Sequence, residues 1–205
     1  MPGTIHDPAR FTDWQKLNYP AEIPRYKEIG RLVSALGPSD PNILDVGCGE
    51  ALLFKHLPIG VNYTGIEPSE QAYLSSQAIT DHRFSVFRDT AEHFSINGRR
   101  WECVVLNEVL YYCHDPERVL AKYAAAVAPG GILIVSIYER PDPPLYRFRH
   151  FPGSKQTTNC RCAKLVEKFM QDKCLFEARV AQPGTHLALH WRIWVGVTNG
   201  DAASA

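Results

Sequence analysis

Apolar positions along the chain switch repeatedly between a helical and a strand-like period. From Ile23, the residues Ile29, Leu32, Val33 and Leu36 recur at helical spacing until Gly37 and Pro38 stop them. A short apolar run at 43–46 predicts a strand, followed by a glycine turn and a short helix from Ala51 that ends before Pro58. Residues 62–67 read as a second strand, Ser69 as the N-cap of a helix reaching about Ile79, and 84–88 as a third strand. The fourth strand, Trp101–Asn107, carries the buried run Val104, Val105 and Leu106. Asp115 followed by Pro116 combines an N-cap with the proline that a first helical turn tolerates. Val119, Leu120, Tyr123, Ala124 and Val127 then mark one buried face, and Pro129-Gly130-Gly131 closes the helix. Residues 132–138 form the most apolar strand. Leu165, Val166, Phe169 and Met170 predict a last helix, and two strands follow near 175–181 and 191–198. The proline-rich stretch 141–152 reads as a surface excursion and the tail 200–205 as disordered.

Strands separated by helices imply a parallel sheet covered on both faces. Five such repeats, then two strands with no helix between them, predict an α/β doubly wound seven-stranded sheet with an antiparallel last strand. The expected plan is a helical N-terminal extension over 1–40 and one domain over 41–199. Composition fits this: 205 residues, 45% hydrophobic and 21% charged, suffice for one domain with a real core. The 22 basic and 22 acidic residues cancel, which argues against a nucleic-acid or membrane-surface partner held by a global field. No apolar run approaches the roughly 18 residues of a membrane span. The N-terminus is polar and broken by Pro2 and Pro8, unlike a signal peptide, so a cytoplasmic location is expected. Cys48, Cys103 and Cys113 read as small buried thiols. Cys160 and Cys162 are too close in sequence for the usual zinc spacing, and no metal site is expected.

In an open α/β sheet a ligand belongs at the carboxyl ends of the strands. The first loop there is Asp45-Val46-Gly47-Cys48-Gly49-Glu50-Ala51, in which Gly47 and Gly49 let the backbone turn sharply beside a ligand. Glu67 stands 20 residues past Gly47 (67 − 47), at the end of the next strand, where a carboxylate can accept both hydroxyls of a ribose. A nicotinamide or flavin fingerprint needs a third glycine where this chain has Leu52, so the dinucleotide reading is poor.

The segment ILDVGCGEALLFKHL, residues 43–57, resembles the first motif of class I S-adenosylmethionine-dependent methyltransferases. Glu67, the run Phe87-Arg88-Asp89-Thr90-Ala91-Glu92 and the block from Trp101 to Glu139 resemble three further motifs of the small-molecule branch, in order. The resemblance covers roughly 40–140 and implies a Rossmann-like fold, S-adenosyl-L-methionine as cofactor and S-adenosyl-L-homocysteine as product. It departs from the family at Ala51, which stands at the third glycine. Carried over position by position, it assigns Asp45, Gly47, Cys48 and Gly49 to the methionine portion and Glu67 with Pro68 to the ribose. Asp89, Thr90 and Ala91 go to the adenine, and Asn107 and Glu108 to the sulfonium side. Tyr112, or its neighbour Tyr111, offers an aromatic face to the cation.

A methyl group on sulfonium needs mostly alignment from the protein. The expected reaction is transfer to nitrogen or oxygen of a small-molecule acceptor, nitrogen first because no convincing base stands out. If a base is needed, the candidates are His114, Asp115, His150, His186 and His190, of which the resemblance favours His150, since the excursion after the fifth strand helps build the acceptor pocket in that family; the same excursion carries Arg140, Arg147 and Arg149, which suit an acidic acceptor. Asp115 is better explained as a helix cap. The segment with Trp14, Tyr19, Arg25 and Tyr26 is expected to close over the cofactor as a lid. Two alternatives remain open on the same fold: a catalytically silent cofactor- or partner-binding module, and a cofactor-assisted cyclase or decarboxylase. The oligomeric state is open.

Overall fold

Alternate residues of the central strands face two different sets of helices, and this alternation builds the molecule. The computed structural model describes residues 20–139, 155–181 and 190–197. Its strands are β1 (Asn42–Val46), β2 (Asn62–Ile66), β3 (Phe84–Phe87), β4 (Trp101–Asn107), β5 (Val127–Glu139), β6 (Cys174–Ala181) and β7 (His190–Val197). They form one seven-stranded sheet in the order β3-β2-β1-β4-β5-β7-β6. The pairings from β3 through β5 are parallel, and β7 runs antiparallel to both β5 and β6. The helices are α1 (Ile23–Leu36), α2 (Glu70–Ser76), α3 (Pro116–Ala125) and α4 (Lys155–Met170).

Leu44, Val46, Val104, Leu106, Leu133 and Val135 pack with Val119, Leu120 and Tyr123 of α3 and Val166 and Met170 of α4. Their neighbours Ile43, Cys103, Val105, Ile132 and Ile134 pack on the opposite face with Tyr26, Ile29, Leu32 and Val33 of α1. The expected fold is therefore observed, with helices on both faces and the antiparallel strand last in sequence. Strand order reverses between β1 and β4, so the crevice for a ligand opens beyond the carboxyl ends of those two strands.

The helix signals work as the sequence reads them. Ser69 Oγ accepts from the Ala72 N–H at the start of α2, and the Asp115 carboxylate accepts from the Arg118 N–H at 2.9 Å at the start of α3. Three boundaries differ. Ala51 is left-handed (φ 58°), so the chain enters a 3-10 turn at Leu52–His56 in place of an α-helix. Helix α2 stops at Ser76, where Ser76 Oγ donates to the Tyr73 carbonyl, short of Ile79. Strand β5 begins at Val127 and absorbs Pro129-Gly130-Gly131 as a bulge, since Trp101 pairs Val127 while Cys103 pairs Ile132.

Helix α1 crosses the 3-10 turn closely, with the Tyr26 and His56 rings stacked 6.0 Å apart. A Cβ on Gly30 would run into the His56 carbonyl. Gly30→Ala is expected to lower stability by about 2–3 kcal/mol through overpacking, read as a lower urea midpoint. An unchanged midpoint would show α1 free to shift away.

Among the described residues no helix is long and apolar enough to cross a membrane. Cys103 and Cys162 are buried, Cys48 and Cys113 partly so, and Cys160 and Cys174 exposed. His150, His186, Arg140, Arg147, Arg149, Trp14, Tyr19 and the tail 200–205 lie outside the described residues.

Candidate cofactor site

The loop after β1 is held by the end of β2. The N–H groups of Gly47 and Cys48 both donate to the Ile66 carbonyl, at 2.8 and 3.0 Å. Gly47 (φ 69°) and Gly49 (φ 57°) are left-handed, and a Cβ on Gly47 would meet Val109 Cγ2 at 2.7 Å, so glycine is required there on both counts. The Cys48 thiol points back over Gly65, whose own Cβ position lies 2.6 Å from the sulfur. Cys48 therefore offers the site its backbone rather than its side chain.

Glu67 follows β2 and is only 2% exposed. Its Oε2 accepts from the Gly49 N–H at 2.9 Å and its Oε1 from the Ser69 N–H at 2.8 Å. Burial raises its pKa to about 7, against the two N–H groups and with help from the Asp45 charge. Each oxygen still has a second lone pair for a hydroxyl donor. Asp45 is equally buried; the Tyr63 hydroxyl donates to its Oδ2 at 2.7 Å, and burial lifts its pKa to about 6 against Tyr63 and the Arg25 charge.

Beyond β4 the chain turns through Glu108, a non-glycine residue with φ 60°, the kind of strained backbone that gathers at functional sites. Its N–H donates to the Ser136 carbonyl at 3.1 Å, and the Ser136 hydroxyl donates to Asn107 Oδ1 at 2.6 Å, so β5 fixes both residues. Arg25 reaches Glu108 from α1, with Nη1 2.7 Å from Oε2 and 3.2 Å from a Glu22 oxygen. The guanidinium lies 4.7 Å from the Tyr26 ring centroid and 4.9 Å from that of Trp191 on β7. This arginine is 1% exposed.

Four buried side-chain atoms among the described residues have no hydrogen-bond partner: Arg25 Nε, Asp45 Oδ1, Glu108 Oε1 and Trp191 Nε1. Each such group costs about 1–3 kcal/mol when left unmet. Two are donors and two are acceptors, and Arg25 connects them through its ion pair, its ring contact and its charge on Asp45.

The turn after β3 forms the far rim. Thr90 N–H donates to Asp89 Oδ1 at 2.7 Å, Phe94 N–H to the Thr90 carbonyl at 3.0 Å, and Ala91 is buried. On the near side, Tyr111 is buried and Tyr112 half-buried, their ring centroids 4.7 Å apart. Burial, and then the Glu108 charge, pushes the Tyr112 phenol up to about 12 and Tyr111 in the same direction. Both phenols keep their protons near neutral pH, which leaves Tyr112 a ring face to offer and no basic oxygen.

Residues 21–194 match the family model of a methyltransferase domain. This chain belongs to that family. Its sheet order and the resemblance to motifs at Asp45–Ala51, Glu67, Asp89 and Asn107–Glu108 make it a class I, S-adenosylmethionine-dependent member. The methyltransferase is 32% identical over 102 residues to a ubiquinone biosynthesis O-methyltransferase of Azorhizobium caulinodans, a match that spans 48% of this chain and 40% of that one. It is 33% identical over 104 residues to the protein of the same name from Proteus mirabilis, spanning 48% and 42%. The matched stretch is thus less than half the length of either relative. Among solved structures, the N-methyltransferase NodS of Bradyrhizobium japonicum WM9, in complex with S-adenosyl-L-homocysteine, superimposes with a TM-score of 0.66 at 20% identity, covering 94% of each chain. The plantazolicin methyltransferase BpumL in complex with the same product superimposes with a TM-score of 0.65 at 10% identity, covering 91% and 88%. These two likenesses bear on the fold.

Asp45, Gly47, Gly49, Glu67, Asn107 and Glu108, which the motifs assign to one edge, stand together at the carboxyl ends of β1, β2 and β4. Arg25 carries only the lid expectation of the N-terminal segment, and Trp191 carries no site expectation. One signal for Arg25 was available: a charged residue sits on the apolar stripe of α1, four and seven positions before Ile29 and Leu32. Trp191 comes from a strand 166 residues away in sequence (191 − 25) and carries no local signal.

Proposed function

We propose that this chain binds S-adenosyl-L-methionine at the carboxyl ends of β1, β2 and β4 and passes its methyl group to an oxygen or nitrogen of a small molecule. The observation that carries this reading is the set of four partnerless buried atoms. Asp45 Oδ1 and Glu108 Oε1 are acceptors for an ammonium group, and Arg25 Nε and Trp191 Nε1 are donors for a carboxylate, the two charges of the cofactor's methionine end. Gly47 and Gly49 bring backbone close beside it, with Cys48 taking part through the main chain. Glu67, flanked by Pro68, receives the ribose hydroxyls, and Asp89, Thr90 and Ala91 receive the adenine. Asn107 and the face of Tyr112 stand on the sulfonium side. When bound, the cofactor supplies a methyl group on a positively charged leaving group. The chain's own contribution is alignment, together with exclusion of water by α1, whose Arg25 closes on Glu108; this gives α1 a covering role.

Oxygen moves ahead of nitrogen as the acceptor atom. The two relatives described above carry O-methyltransferase names. A hydroxyl acceptor needs its proton taken, and His190 Nε2 lies 3.2 Å from Glu139 Oε2, both partly buried, at the carboxyl end of β5. A histidine oriented by a carboxylate fits that task better than the exposed cap residue Asp115 or its neighbour His114. His150, the base expected from sequence, remains a second candidate. Labelled-methyl transfer to a panel of phenols, aliphatic hydroxyls, amines and carboxylic acids tests the proposal, with the product's mass gain of one methylene identifying the acceptor. A panel in which only amines are methylated would remove the oxygen reading.

The raised carboxyl groups add a pH dependence. Asp45 (about 6) and Glu67 (about 7) must be ionised to hold the ammonium and the ribose. Product affinity is expected to rise from pH 5 to pH 7.5, by about tenfold per unit while a required carboxylate is still titrating. Without ligand the sign is opposite. Both acids hold their protons more tightly in the folded chain than near pH 4, so stability falls as pH rises from about 4 to 7. Calorimetric titration and thermal melts across this range check both slopes.

A further inference from the structure

The turn that carries Asp89 and Thr90 is gripped by one lysine. Lys122, on the last turn of α3, donates to three main-chain carbonyls of that turn: Ala91 at 3.0 Å, Glu92 at 3.0 Å and Phe94 at 2.7 Å. These use all three ammonium N–H groups. The next residue, Tyr123, donates its buried hydroxyl to the same Ala91 carbonyl at 2.9 Å, and the Lys122 ammonium lies 5.1 Å from the Tyr123 ring centroid. A second tie sits ahead of the same helix, where the His114 N–H donates to Glu92 Oε1 at 2.9 Å. Residues 91–94 of the turn are therefore tied both to α3 and to the segment just ahead of it.

Three carbonyls converging on one point repel one another unless a cation sits between them, so the shape of this turn depends on the ammonium. Asp89 and Thr90 lie immediately before those carbonyls, and the Asp89 carboxylate is set by the Thr90 N–H at 2.7 Å. We propose that Lys122, assisted by Tyr123, is a positioning residue that fixes the Asp89–Ala91 edge and thereby sets the preference for adenine over other purine bases. It touches neither cofactor nor acceptor and acts through the turn. The inference rests on the placement of the adenine in the proposed function.

The test measures binding of S-adenosyl-L-homocysteine and S-inosyl-L-homocysteine to the full chain and to Lys122→Met, which keeps the apolar stem and loses the donors. The second probe carries a carbonyl where adenine has its amino group. Wild type is expected to prefer the adenine compound. In the variant, affinity for it falls about tenfold, the inosine compound is little changed, and the preference shrinks accordingly. Turnover at saturating cofactor stays within about twofold while KM for the cofactor rises, a split that general loosening would not give. Lys122→Arg restores part of the preference. Tyr123→Phe, which removes one hydroxyl, shifts it about threefold in the same direction and serves if Lys122→Met does not fold. A variant that melts lower yet keeps the full preference overturns the proposal, as does a wild type that binds both compounds equally. A wild type that binds neither overturns the cofactor assignment itself, which separates the two failures.

Discussion

Glu67→Gln is expected to weaken S-adenosyl-L-homocysteine binding by about a hundredfold or more at pH 8, where the wild-type carboxylate is ionised. The change is nearly isosteric, so the effect comes from hydrogen bonding. Both carboxylate oxygens accept from the main chain, one from Gly49 and one from Ser69. An amide has one acceptor, and its NH2 group would face one of these N–H donors. A hydrogen bond to a charged group contributes about 1.5–3 kcal/mol, and a hundredfold in affinity is about 2.8 kcal/mol, so losing one such bond and one ribose acceptor reaches the expected effect. The Gly47–Gly49 turn loosens with it, and the thermal midpoint falls. Glu67→Asp, one methylene shorter, reaches only one of the two N–H groups and falls between. An unchanged affinity in Glu67→Gln would remove the residue from the site.

Arg25→Met is expected to cost about 3–5 kcal/mol of stability and most of the product affinity. The substitution keeps an apolar stem against Tyr26 and Trp191 but leaves the partly buried Glu108 with no cation at 2.7 Å. A desolvated carboxylate stripped of its cation is the expensive outcome of breaking such a pair. Loss of the guanidinium over two rings adds about 0.5–2 kcal/mol per ring. The double variant Arg25→Met with Glu108→Gln separates the structural from the binding role. Removing the stranded charge is expected to recover about 2 kcal/mol of stability while product affinity stays low, because neither the carboxylate donor nor one ammonium acceptor returns. Recovery of both together would make the pair purely structural. Denaturant unfolding and calorimetry on the same four proteins complete the cycle.

The parts of the fold that were legible in the sequence are those whose cause is local. All seven strands lie where the sequence predicts them, β1, β4 and the second half of β5 as apolar runs, and Ser69 and Asp115 cap their helices as their positions suggest. The departures have local causes that propensity does not capture: a left-handed alanine at 51, a serine bonding back at 76, and a strand that absorbs a Pro-Gly-Gly bulge. The site divides along the same line. Asp45, Gly47, Gly49 and Glu67 sit on two adjacent strand ends within one short stretch, so spacing alone assembles them. The Arg25–Glu108 pair joins residues 83 apart, and Trp191 arrives from the antiparallel strand, so no spacing reveals them. Lys122 reads as an ordinary basic residue in the last turn of a helix, where it favours the helix dipole. Only the fold shows that its ammonium serves another segment.

Calorimetric titration of the 205-residue chain with S-adenosyl-L-homocysteine at pH 8 tests the central claim most directly. The account predicts saturable binding to one site per chain, lost in Glu67→Gln and weakened as pH falls towards 6. A chain whose circular dichroism shows it folded, yet which gives no binding heat at several temperatures and no shift in thermal midpoint with the same compound, would contradict it.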